Sequence, residues 1–95
     1  MKKLKTLTKE TYNRLITDEN TTPELKEILG IPKEDEISIG DTAVRIGKET
    51  NVGDIYVHEH HEHKVFYIVI EPIDEELAYC YSVYWYYKKY ILRKA

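Results

Sequence analysis

Val65-Phe66-Tyr67-Ile68-Val69-Ile70 is followed by the polar stretch Glu71-Pro72-Ile73-Asp74-Glu75-Glu76 and then by Leu77-Ala78-Tyr79-Cys80-Tyr81-Ser82-Val83-Tyr84-Trp85-Tyr86-Tyr87. The first run is built from β-branched and aromatic residues and reads as a strand. The last also fits a helical stripe through Leu77, Cys80, Tyr84, Tyr87 and Ile91, so its partner must decide. Opposing Glu71 to Leu77 sets Ile70 against Ala78, Ile68 against Cys80 and Phe66 against Ser82 on one face. The other face then pairs Val69 with Tyr79, Tyr67 with Tyr81 and Val65 with Val83. Large residues meet small ones on one side and aromatic residues meet aliphatic or aromatic ones on the other, which favours an antiparallel hairpin. The face with the small residues has room for a covering helix.

Outward from this hairpin, the alternation of Ile55-Tyr56-Val57-His58 predicts a further strand after the turn signal Asn51-Val52-Gly53-Asp54. Ile37 and Ile39, and beyond the Gly40-Asp41 turn signal Val44 and Ile46, read as separate short strands. The amino-terminal part has helical spacing instead. Leu7, Thr11 and Leu15 share a side of a segment that begins at Thr8-Lys9-Glu10-Thr11 and stops near Asp18 to Asn20. Thr22 and Pro23 open a second helix whose stripe is Leu25, Ile28 and Leu29, and Gly30 closes it. The expectation is one α+β domain over residues 1–95: two short amino-terminal helices packed on one face of a four- to five-stranded antiparallel meander sheet. Its strands are placed at Ala43–Ile46, Ile55–His58, Lys64–Glu71 and Leu77–Tyr87, with Phe66, Ile68, Ile70 and Cys80 facing Leu15, Leu25, Ile28 and Leu29.

The 95 residues are 42% apolar and 33% charged, and nine are Tyr, enough large side chains to fold a small domain. The longest stretch without a charge or His, from Leu77 to Tyr87, is too short to cross a bilayer as a helix, and no apolar run follows the basic first residues to make a secretory signal. A cytoplasmic protein with no membrane contact is expected. Cys80 stands alone, so neither an intrachain disulfide nor a multi-thiolate zinc site is available within one chain. Charge falls in blocks: residues 1–14 hold five bases against Glu10, residues 88–95 hold four bases, and residues 15–87 hold sixteen acids against five bases. Such an acidic body attracts basic protein surfaces.

No Gly-rich phosphate loop, nucleophile elbow or zinc-thiolate pattern occurs, so neither an enzyme nor a cofactor is expected. His58-Glu59-His60-His61-Glu62-His63 holds every His of the chain. A turn that converged His58, His60, His61 and His63 would make a metal site, and a solvated, pH-sensitive hairpin tip is the preferred reading. Tyr84-Trp85-Tyr86-Tyr87-Lys88-Lys89-Tyr90-Ile91-Leu92-Arg93-Lys94 interleaves aromatic and basic residues, so Lys88, Lys89, Arg93 and Lys94 are candidates for contact with RNA or DNA. Two helices, then a sheet in which Val65-Phe66-Tyr67-Ile68-Val69 runs into a last strand with a basic end, resembles the outline of small ribosome-dependent toxin nucleases. That resemblance implies RNA cleavage. The helices are shorter here and the Arg-rich central strands are missing, so no active-site residue carries across.

The favoured expectation is a non-enzymatic protein-binding module. Tyr56, Tyr67, Tyr79, Tyr81, Trp85 and Tyr87 are placed on the sheet face away from the helices, with Glu75 and Glu76 in a rim of turn acids that also takes in Asp41, Glu49, Asp54, Glu71 and Asp74. Tyr and Trp suit interfaces, and a sheet with one helical layer has a second face to cover. The expected occupants are a second copy, forming a homodimer, or a basic nucleic-acid-binding protein that this chain inhibits or adapts, as small acidic proteins of phages and mobile elements do.

Overall fold

Thr8 begins the first helix as sequence reading expects: its Oγ1 accepts the Thr11 amide, and the Tyr12 amide bonds the Thr8 carbonyl. The computed structural model describes residues 1–17, 22–47 and 50–86. In chain order these form β1 (Lys2–Thr6), α1 (Lys9–Thr17), α2 (Thr22–Leu29), β2 (Ile37–Arg45), β3 (Asp54–Glu59), β4 (His63–Pro72) and β5 (Leu77–Tyr86). α2 ends in a Schellman motif. Gly30 takes a φ of 76°, its amide bonds the Glu27 carbonyl, and the Ile31 amide bonds the Lys26 carbonyl. Ile31 is thereby turned into the same buried cluster as Leu25.

The protein is α+β, with two helices and one five-stranded antiparallel sheet among the described residues, in the order β1-β3-β4-β5-β2. No helix among the described residues is long and apolar enough to cross a membrane. The larger buried cluster joins Leu15 of α1, Leu25 and Leu29 of α2 and Ile31 to Ile55, Phe66, Ile68 and Val83 of the strands, with Tyr81 and Trp85 packed against it. The smaller one, Tyr56, Val69, Ala78 and Cys80, lies on the alternate strand positions with Val44, Ile46 and Tyr67 against it. These two sides are called the cluster face and the tyrosine face below.

Three expectations require correction. The β4–β5 hairpin forms, with Ile68 opposite Tyr81, Phe66 opposite Val83, Tyr67 opposite Ser82 and Val69 opposite Cys80. This is one residue away from the expected pairing, and in a strand a slip of one residue exchanges the faces of every side chain. The cause lies at the turn. Asp74 Oδ1 accepts the Glu76 and Leu77 amides, the Leu77 carbonyl accepts the Ile73 and Asp74 amides, and the register shifts between Val69 and Glu71. Cys80 accordingly belongs to the tyrosine face, and of the four residues expected opposite the helical leucines only Phe66 and Ile68 belong to the larger cluster.

The second correction is to β2, which runs unbroken through Gly40-Asp41 and pairs with β5 from Ile37↔Trp85 to Arg45↔Leu77 without a shift. Gly40 sits opposite Ser82 within this regular pairing, so it is a strand position and not a turn. The third is β1, which the sequence pattern does not mark. All five of its residues are exposed, so it carries no alternation. It is held by pairing with β3 and by Asp54.

Candidate functional site

The tyrosine face is built by strand alternation. Tyr56 on β3 opposes Tyr67 on β4, Tyr67 opposes Ser82 on β5, and Val65 opposes both His58 and Tyr84. Ala78, Cys80 and Ser82 form a buried floor of small side chains, and Tyr67 and Tyr84 stand half-buried around it. The phenols of Tyr56 and Tyr67 are held above the ordinary tyrosine range, chiefly by burial. Burial alone pushes the Cys80 thiol up to about 11, so it is protonated and inert at neutral pH, as a packing residue should be.

One end of this face carries the histidines. The β3–β4 turn closes through the His60 amide on the His63 carbonyl. The rings of His58, His60 and His63 form a file, with centroids 4.2 and 4.4 Å apart, and His63 continues it to Tyr84 at 5.9 Å and Tyr86 at 5.5 Å. The His58 and His60 rings are tilted by 37°, and the His60 and His63 rings are stacked at 17°. Among the described residues no group of three or more His, Cys, Asp or Glu is arranged to hold a metal ion. His61 is exposed on the turn. The other end carries the acids: Glu71, Asp74, Glu75 and Glu76 are exposed, and the Glu76 carbonyl accepts the Ile46 and Gly47 amides next to Val44.

The expected tyrosine set is therefore divided. Tyr56 and Tyr67 lie on the tyrosine face, whereas Tyr81 and Trp85 pack against the larger cluster and Tyr79 shares their strand parity. The slip in register moves them. Trp85 Nε1 donates to the Asp35 carboxylate at 2.9 Å, and the Tyr79 hydroxyl donates to Asp41, which raises its pKa. Tyr87 and the basic candidates Lys88, Lys89, Arg93 and Lys94 lie outside the described residues, as does Glu49. Two expected rim acids are placed elsewhere: Asp41 stands within β2, and Asp54 has no exposed surface.

Sequence reading missed Tyr84 and Tyr86 as members of the aromatic face, although correct parity would have found both. It also missed a cleft of about 270 Å³ on the cluster face, between Leu15, Leu25, Ile39, Ile68 and Tyr81. No local pattern signals such a gap, because it depends on how far the helices stand from β2. Comparison of the chain with protein-family models, with curated proteins and with solved structures finds no match.

Proposed function

We propose that this chain is a non-enzymatic protein-binding module whose tyrosine face and adjoining acidic turn hold a basic surface on a protein partner. The observation that carries the reading is the composition of that face: its buried cluster contains no residue of α1 or α2, Tyr67 packs against it, and the half-buried Tyr84 and exposed Tyr86 share its strand parity on β5. The two helices serve the cluster face, leaving the tyrosine face as the side a partner covers. Aromatic side chains provide large, stiff contact area and set how long a complex lasts, while Glu71, Asp74, Glu75 and Glu76 at one end attract a basic surface and speed encounter. An acidic inhibitor or adaptor of the phage or mobile-element type, acting on a nucleic-acid-binding protein, works in this way.

The test is affinity capture from the native host with wild-type protein, followed by kinetics on the captured partner with folded variants. Tyr67→Ala or Tyr84→Ala should speed dissociation, and Glu75→Lys with Glu76→Lys should slow association at low salt. Unchanged rates in all of these variants would refute the assignment of this face.

A further inference from the structure

The two edges of the sheet are unlike. β1 is five residues long, carries Lys2, Lys3 and Lys5, and shifts register between Lys3 and Lys5. Short length, lysines and a bulge are the ordinary means by which an edge is kept from pairing with another chain. β2 has none of them. It is nine residues long, regular along its whole length, free of Lys and Pro, and its Ile39 is 49% exposed. Among the described residues no strand pairs with its outer side.

We propose that β2 pairs antiparallel with β2 of a second copy, joining two sheets into one across a two-fold axis at Ala43. A two-fold axis perpendicular to the sheet keeps each face on its own side, so paired residues must share strand parity. Centres from Gly40 to Ala43 lie near the middle of the strand, and centring on Gly40 leaves Asp41 opposite Ile39 and carries the partner of Arg45 past the start of β2. Centring on Asp41 sets the two aspartates against each other, and centring on Thr42 leaves Asp41 opposite Ala43 and Arg45 opposite Ile39. Centring on Ala43 sets Asp41 against Arg45 of the second copy twice and Thr42 against Val44, all within β2. Each charge then meets its opposite and Val44 meets the β-branched Thr42, the matching that stabilises cross-strand pairs.

Both charged residues are available for this. Arg45 holds Glu76 only at 3.7 Å with both side chains mostly exposed, a pair of little energetic weight. Asp41 is exposed along β2. Pairing occupies the Asp41–Arg45 stretch of β2 and leaves the lysine-guarded β1 at both outer edges, so assembly stops at two. The tyrosine faces lie side by side in the joined sheet, and the dimer does not depend on the partner proposed above.

Sedimentation velocity from low micromolar to several hundred micromolar concentration tests this on the full chain. Wild type should shift reversibly from monomer to dimer. Asp41→Arg alone and Arg45→Asp alone place like charges opposite each other at both symmetry-related positions and should each weaken the dimer on the order of tenfold or more. The combined exchange, Asp41→Arg with Arg45→Asp, should restore it. Ala43→Glu sets two carboxylates across the axis and should also leave a monomer, with circular dichroism confirming that each variant is folded. A wild type that stays monomeric, a series of species larger than a dimer, or failure of the double exchange to restore dimerisation would overturn the proposal.

Discussion

The Asp54 carboxylate has no exposed surface, and burial pushes its pKa up. It nevertheless ends below the ordinary carboxylate range, because it accepts the Thr6 hydroxyl at 2.6 Å and the Asn51 amide at 2.9 Å and faces the Lys3 ammonium at 3.4 Å. The bonds outweigh desolvation, which is the condition for a buried charge to stabilise a fold. Lys3 and Thr6 belong to β1, so this one carboxylate is what gives an exposed, lysine-rich segment a place in the sheet. Gly53 beside it takes a φ of 92°, and a Cβ there would meet the Leu7 carbonyl at 3.3 Å. Asp54→Asn should therefore cost about 1–3 kcal/mol at neutral pH in urea unfolding. A carboxyl depressed by folding contributes stability above its unfolded value of about 3.9 and loses it as pH falls through the lower folded value. The gap between wild type and variant should narrow below about pH 4, and a gap that widens there would contradict the assignment.

At the scale of elements, the Trp85 indole and the Asp35 carboxylate join β5 to the loop that leads into β2, and Lys26 of α2 donates to the Asp35 carbonyl in the same place. Trp85→Phe keeps the packing against the larger cluster and removes the donor to a carboxylate that is 8% exposed. It should destabilise the domain by about 1–3 kcal/mol, and pairing it with Asp35→Ala should cost less than the sum of the two single changes. Additive costs in that double-mutant cycle would show that the bond does not hold the elements together. Both helices and the strands β3, β4 and β5 were legible in the sequence because capping residues and strong β-formers mark them locally. What was not legible depends on partners distant in sequence. β1 is a strand because of Asp54, Gly40 is a strand position because of its pairing with Ser82, and the faces of β5 depend on the shift between Val69 and Glu71. The candidate site inherited that last error: Tyr56 and Tyr67 lie with the smaller cluster, whereas Tyr81 and Trp85, expected beside them, pack against the larger one.

Across the whole molecule, four phenols and the single thiol are raised by folding and tie stability to the alkaline side of the pH range. Tyr12 and Tyr56 are raised mainly by burial, as is Tyr67, while Tyr79 is raised first by the bond to Asp41 and Cys80 by burial alone, to about 11. Each is neutral when protonated, so a raised folded value means that the fold favours the protonated form. The stability they contribute is complete below their unfolded values, about 8.5 for the thiol and about 10 for the phenols, and is lost as pH rises through the folded ones. Because these groups lie on both faces, no single element can release the strain of ionisation, and the domain should unfold cooperatively at high pH. Ultraviolet titration of the native protein should therefore show a large part of its tyrosinate absorbance appearing at higher pH than in urea, in step with loss of the circular dichroism signal. Alkylation of Cys80 should stay slow at pH 8.5 in the folded protein and become fast on unfolding. Native and unfolded titrations that superimpose would mean that the buried tyrosine face does not persist in solution, and with it the surface assigned to the partner would fall.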